Sequence, residues 1–487
     1  MLIKNFLDIK SIRMLLLGFS SGLPILLVFS TLSVWLIKAE VSRSMVTMFS
    51  WAGLAYSFKY IWSPLVDTLR LPFKSFGHRK TWLLFSQLLI VLSLIFISNT
   101  DPSKVLVMTA IGAVMIAFSS ATQDIIIDAY RIESASQQMQ GVLSSMYIAG
   151  YRIAMLVAGA GSLFLASYFG TETYNVKVWQ NVYLIMASLM SIGILTTIFA
   201  PEPKINRQNS LININDQFRF LISFIAAVSI FIFVYSQLIS PFKLEGPFEK
   251  FCFTFFKLLL SFFCSSIIIY ILIKIKIIPK KSALNIYAKP ILEFINRYGK
   301  TAALILLLIG LYRIADIVMG VVANIFYLEK GYDIKEIATY SKFFGVFATI
   351  LGGLIGGYSA FKFGTIKALF FGAVIAAASN LLFAWLALSE ASINSLIIVI
   401  TADNISSGFA GAAFVVYLTA LTSIKFTATQ YALFSSLMIL IPKVLAGYSG
   451  SLVDFMGYSN FYIFTAVLGI PVLLLIIWIS KLVPIKE

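Results

Sequence analysis

Long apolar runs recur along almost the whole chain. One helical crossing of a bilayer takes about 20 such residues. Fourteen runs lie at 14–37, 46–66, 81–98, 105–128, 141–168, 179–200, 218–238, 251–273, 302–327, 336–358, 365–388, 393–421, 429–456 and 460–482. They predict an all-α polytopic membrane protein in a lipid bilayer. A membrane β-barrel has short segments of alternating hydrophobicity instead. Composition agrees, with 60% hydrophobic residues and only 12% charged. The first run follows Lys4, Lys10 and Arg13. It is too long for the core of a cleaved signal, so we read it as a membrane helix.

The formal net charge of +16 would suggest nucleic acid in a soluble protein. Here the basic residues fall in short alternate loops, where they orient a membrane protein, so no nucleic-acid partner is expected. Those loops carry Lys74, Arg79 and Lys80, then Lys204 and Arg207, then Lys274, Lys276, Lys280, Lys281, Lys289, Arg297 and Lys300, and finally Lys486. The opposite loops, such as NTDPSK and EKGYDIKE, are sparse or balanced. The alternation predicts both termini in the cytoplasm. His78, Cys252 and Cys264 are the only histidine and cysteines. They form no metal-ligand pattern, and no cofactor is expected.

The two ends of the chain repeat. Gly18 recurs as Gly310, and Gly53 as Gly345, each 292 residues on. SSMYIAGYR (144–152) aligns with SSLMILIPK (435–443), and Gly159 with Gly450, each 291 residues on. A shared offset implies two six-helix halves, 1–203 and 301–487, related by a parallel repeat, the design of major facilitator transporters. Residues 204–300 then form an insert with two extra spans and a basic linker.

Charge inside hydrocarbon is costly and usually faces the bundle interior or a water-filled cavity. Asp124 and Asp128 are four residues apart on one helical face. Arg152 has a basic repeat counterpart in Lys443. The pair is expected to face across the pseudo-two-fold axis as an anchor for an anionic solute. Lys59, Arg313, Asp316 and Asp403 also lie inside apolar runs. Two readings stay open for Asp124, Asp128 and Arg131: a gating ion-pair network with Lys59, or direct contact with solute and protons. Arg313 and Asp316 either serve a site or neutralise each other. Asp67 and GHRK (77–80), between the second and third spans, resemble a stretched form of the major facilitator cytoplasmic loop motif, which implies an ion-paired latch with Arg79 its basic member; positive-inside charge alone is the other reading.

Several stretches resemble the muropeptide permeases of the AmpG type: GFSSGLP (18–24), FKYIWSPLVD (58–67), ATQDIIIDAYRIE (121–133), GYRIAMLVAG (150–159), APEP (200–203), YRIADIVMG (312–320) and TATQYALFSS (427–436). The resemblance spans about 12–480, apart from 204–300. It implies import of anhydro-muropeptides across a bacterial inner membrane, driven by protons. Arg152, Arg313, Lys443 and Asp403 are then candidates for solute binding. Asp124, Asp128, Lys59, Asp316, Asp67 and Arg79 are candidates for proton coupling or gating. Gln123, Asn324, Asn380 and Asn404 are candidate sugar contacts. No phosphate-binding G-x-x-x-x-G-K-[ST] loop is present, so the chain carries no ATPase engine of that type. A permease for another anionic solute is the near alternative. A membrane-embedded enzyme using Asp124 and Asp128 fits less well, because no H-E-x-x-H or Ser/His pattern accompanies them.

Overall fold

A computed structural model of the chain describes residues 5–41, 45–46, 49–71, 77–170, 174–204, 214–239, 247–279, 284–333, 336–446 and 449–482. Lys4, Lys74, Arg207, Lys280, Lys281, Lys335 and Lys486 lie outside these ranges. Among the described residues the regular elements are all helices. They run α1 (Ile9–Lys38), α2 (49–68), α3 (His78–Ser98), α4 (Leu106–Ser134), α5 (Gln137–Phe169), α6 (Val176–Phe199), α7 (Ile214–Gln237), α8 (Pro247–Lys274) and α9 (Lys289–Tyr298). The C-terminal half adds α10 (Thr301–Glu329), α11 (Thr339–Phe363), α12 (Thr365–Leu388), α13 (Ile393–Leu421), α14 (Ile424–Lys443) and α15 (Leu452–Leu482).

Twelve helices among the described residues are long and apolar enough to cross a bilayer. Two of the fourteen expected spans do not meet that measure. The apolar part of α8 is the shorter stretch Leu259–Lys274. Segment α2 is broken into Phe49–Gly53, Leu54–Phe58, Lys59–Ile61 and Ser63–Thr68. Lys59 stands at a junction between two of those pieces, and its ammonium group is buried.

The residues group into two compact units. One contains 1–63, 71–205 and 298–487, which holds most of both halves, and the other contains 64–70 and 206–297. In the second unit α7 packs on α8, with Ser265 Oγ donating to the Ala227 carbonyl at 3.0 Å.

In the first unit the repeat reappears as packing. Helix α1 lies on α5, and a Cβ at Gly18 would stand 2.2 Å from the Tyr147 carbonyl oxygen. Helix α10 lies on α14 in the same way, and a Cβ at Gly310 would stand 2.5 Å from Ile441 Cδ1. Close approach of this kind is how membrane helices gain contact where no hydrophobic driving force separates helix from lipid. The N-terminal half has its own apolar core, where Leu27, Trp35, Leu94 and Tyr183 are fully buried and Trp35 stacks on Trp179 at 6.0 Å. The two halves meet along α5 and α11. Ser145 Oγ donates to the Gly353 carbonyl at 2.8 Å, and a Cβ at Gly141 would stand 2.3 Å from the Gly357 carbonyl oxygen.

Candidate functional site

Two groups of charge occupy the interior of the first unit, one buried and one half-buried. The first lies where α1, α2, α4 and α5 meet. Asp128, one turn below Asp124 on α4, pairs with Lys59 Nζ at 3.9 Å and with Arg131 Nη2 at 3.7 Å. Lys59 is also within electrostatic reach of Asp124, whose carboxylate accepts from Ser21 Oγ at 2.5 Å. Ser21 in turn bonds Tyr147 on α5 at 2.8 Å. The short pieces of α2 carry Lys59 to the two carboxylates, which an isolated charge at this depth would not tolerate.

Arg131 links this group to the other half. Its Nη1 donates to Gln140 Oε1 at 3.0 Å and Ser144 Oγ at 3.2 Å on α5, and to Thr419 Oγ1 on α13 at 2.9 Å. Its guanidinium carbon sits 5.3 Å from the Tyr431 ring centroid on α14. These contacts join the end of α4 to α5, α13 and α14.

The second group belongs to the C-terminal half. Helix α10 breaks at Tyr312 and Arg313, so it runs as Thr301–Leu311 and Ile314–Glu329. Discontinuous helices are a usual setting for solute and ion sites in transporters. Arg313 pairs with Asp316 one turn on, and Ser407 on α13 lies 3.4 Å from both. Asp403 is within electrostatic reach of Arg313 and Asp316. A cavity beside the pair is lined by Arg313, Asp316, Ala376, Ala410 and Gly469. Arg152 of the N-terminal half is half-buried, and it lies within electrostatic reach of Arg313, Tyr151 and Asp316. The hydrogen bond recorded for its guanidinium is a weak one, from Nη1 to Met155 Sδ at 3.9 Å.

Arg152, Arg313, Asp316 and Asp403 therefore come together, as do Lys59, Asp124 and Asp128. Lys443 is exposed near the end of α14, and Arg152 is not among the groups acting on it. The charged groups within electrostatic reach of Arg152 are Arg313 and Asp316 of the other half. Arg79 is tied to α4 of its own half by a two-pronged bond to Glu133, with Nη2–Oε1 at 2.6 Å and Nε–Oε2 at 3.0 Å. Glu202 of APEP caps the start of α3, accepting from the backbone N–H groups of Arg79 and Lys80 at 2.9 and 3.0 Å. Asp67 is buried in the last turn of α2.

Other expectations need correction. Gln123 and Asn380 are sealed inside and already bonded, Gln123 to Ser20 at 3.0 Å and Asn380 to Thr465 at 3.1 Å. Asn404 holds Thr349 at 2.9 Å. Gln123 and Asn380 are thus spent on neighbouring helices, whereas Asn404 is half-buried. His78 is the first residue of α3 rather than part of a loop. Ser21, Tyr147 and Ser407 were not assigned to a site from the sequence, and Arg131 was read only as a member of the Asp124–Asp128 group. The three missed residues are uncharged hydroxyl side chains with no local signal to mark them.

Two repeated helical halves enclosing buried charge define a polytopic transport protein, and comparison with known proteins agrees. The model of the Major Facilitator Superfamily matches residues 14–333. "Putative transporter AmpG 4" of Rickettsia felis is 33% identical over 479 residues, covering 98% of each chain. "Anhydromuropeptide permease" of Escherichia coli K12 is 29% identical, over 98% of this chain and 80% of the relative. Among solved structures, a POT family transporter in complex with a thioalcohol-conjugated peptide aligns with TM-score 0.61 at 13% identity, covering 97% of this chain and 96% of that one. The proton:xylose symporter XylE aligns with TM-score 0.58 at 13% identity, covering 99% and 96%. At such identities the likeness is one of fold. The chain belongs to the major facilitator superfamily and, within it, to the AmpG transporters.

Proposed function

We propose that this chain is a secondary active importer of anhydro-muropeptides across a bacterial inner membrane, driven by protons, with both termini in the cytoplasm. The single observation that carries the reading is that Arg152 of one half lies within electrostatic reach of the Arg313–Asp316 pair of the other. A site shared between halves is one that alternating access opens to each side in turn.

The chemistry follows from charge balance. Arg152 and Arg313 contribute two positive charges, and Asp316 and Asp403 two negative ones. Arg313 is engaged by Asp316, which leaves the Arg152 guanidinium to receive a peptide carboxylate of the solute. Guanidinium is suited to that role, because its fork of N–H donors matches a carboxylate. The arriving anion adds one negative charge to a balanced group, and a buried uncompensated charge is costly. A proton on Asp403 or Asp316 restores the balance, which couples solute to proton. Lys59, Asp124, Asp128 and Arg131 form the gate at the cytoplasmic end, with Arg79 in its frame. Lys443, at equal depth by the repeat, takes a weaker guiding role.

Uptake of radiolabelled anhydro-muropeptide by permease-deficient bacteria expressing the chain tests this reading. Expression is expected to restore uptake, and Arg152→Ala to abolish it without loss of membrane insertion. Unimpaired uptake by that variant would remove Arg152 from the site.

A further inference from the structure

The segment between α8 and α10 is not used by the transport reading. It starts where one apolar helix ends, at Lys274, and stops where the next begins, at Thr301. Both of its ends are therefore tied to the membrane surface. Its described residues carry Lys274, Lys276, Lys289, Arg297 and Lys300, all exposed, against the lone acid Glu293. Glu293 sits 3.4 Å from Arg297.

Helix α9 has two distinct faces. At 100° per residue, Ile291, Leu292, Phe294 and Ile295 fall on one side, and Lys289, Glu293, Asn296 and Arg297 on the other. Phe294 is buried at 2% exposure, whereas Ile291, Leu292 and Ile295 remain 45, 52 and 42% exposed. Next to Lys274 and Lys276, Ile275 and Ile277 are also 57 and 44% exposed. Water is a poor neighbour for these five side chains. A basic amphipathic helix held at the surface meets acyl chains with its apolar face and phosphates with its cations.

We infer that the stretches 274–279 and 284–297 form an anionic-phospholipid binding element, in which α9 lies in the interface with Leu292 toward the acyl chains and Lys274, Lys276, Lys289 and Arg297 on lipid phosphates. Charge complementarity selects the occupant, since clusters of four or more basic residues beside a membrane helix attract acidic headgroups. Each cation near such a surface strengthens the attraction about five-fold. The inference is independent of which solute the protein carries.

The test uses the full chain with Cys252 and Cys264 replaced by serine, reconstituted in vesicles of phosphatidylcholine with or without phosphatidylglycerol. An environment-sensitive dye is attached at Leu292→Cys or at Asn296→Cys. The dye at 292 is expected to report an apolar setting, quenched by lipid-borne quenchers, and the dye at 296 a wet one. Phosphatidylglycerol is expected to raise the melting temperature. Replacing Lys274, Lys276 and Lys289 together with Gln should abolish that rise, and replacing them with Arg should keep it. A water-exposed dye at 292 in both vesicles would overturn the inference and leave the face to a soluble acidic partner. An equal response to phosphatidylglycerol in the Gln variant would overturn the assignment of the lysines.

Discussion

Arg131 and Thr419 are 288 residues apart in sequence and 2.9 Å apart in space, with Nη1 donating to the hydroxyl oxygen. This bond and the Tyr431 ring join the end of α4 to the C-terminal half. Thr419→Val removes the acceptor while keeping the shape. A hydrogen bond from a charged donor is worth about 1.5–3 kcal/mol. The population open at this end should rise by roughly ten-fold or more, on the conversion of 1.4 kcal/mol per factor of ten. Spin labels at Ser136→Cys and Ile424→Cys, both exposed positions, report it as a longer distance component. An unchanged distance distribution would mean that Arg131 does not hold the gate.

The Arg79–Glu133 pair is a stability element, with side chains 2% and 0% exposed. Removing one partner of a buried pair costs about 3–5 kcal/mol. Glu133→Gln should lower the melting temperature in detergent by several degrees. Lys104→Ala breaks a pair in which the lysine is 81% exposed, and should change it little. Equal effects of the two variants would contradict the assignment.

Arg152 and Lys443 should separate in uptake assays. Arg152→Ala is expected to reduce uptake by two orders of magnitude or more, since a charge-paired contact at a closed site is worth about 3 kcal/mol. Arg152→Lys should recover only part, because an ammonium group lacks the fork. Lys443→Ala should lower uptake only a few-fold. Equal losses would restore the symmetric pair as the anchor.

Asp316 and Asp403 should separate driving force from passage. With Asp403→Asn or Asp316→Asn, exchange of labelled for unlabelled solute should persist in vesicles while accumulation under a pH gradient is lost. Loss of exchange and accumulation together would point to a structural role.

The loop between α3 and α4 carries a pH-dependent term. Burial raises the pKa of Asp101, but bonds from Ser103 and from Tyr174 Oη at 3.0 Å, together with Lys104, outweigh it and hold the carboxyl below its ordinary range. A depressed carboxyl stabilises the fold above its unfolded pKa, about 3.9, and that contribution fades as pH falls through the lower folded value. Asp101→Asn should therefore reduce the gap in melting temperature between pH 7 and pH 3. An unchanged gap would mean that Asp101 does not contribute.

The helices were legible because apolar length is a local property. Twelve crossings among the described residues correspond to apolar runs, while the run at 46–66 hid a segment broken around Lys59. The repeat was legible because offsets survive where identities do not, as Gly18 and Gly310 show in their packing. Partner choice was not legible. No local signal joins Arg131 to Thr419, or sets Arg152 against Arg313 rather than Lys443. Gln123 and Asn380 misled for a related reason. An amide inside an apolar helix has the same letter whether it faces solute or is spent on a neighbouring helix, as both of these are.

The central claim is proton-driven import of anhydro-muropeptide, and purified protein in sealed vesicles tests it most directly. With the exterior more acidic than the lumen, radiolabelled anhydro-muropeptide should accumulate above its external concentration, chemically unchanged, and a protonophore should collapse that accumulation to equilibrium. Accumulation indifferent to the protonophore would contradict proton coupling, and no entry in vesicles with verified insertion would contradict the substrate.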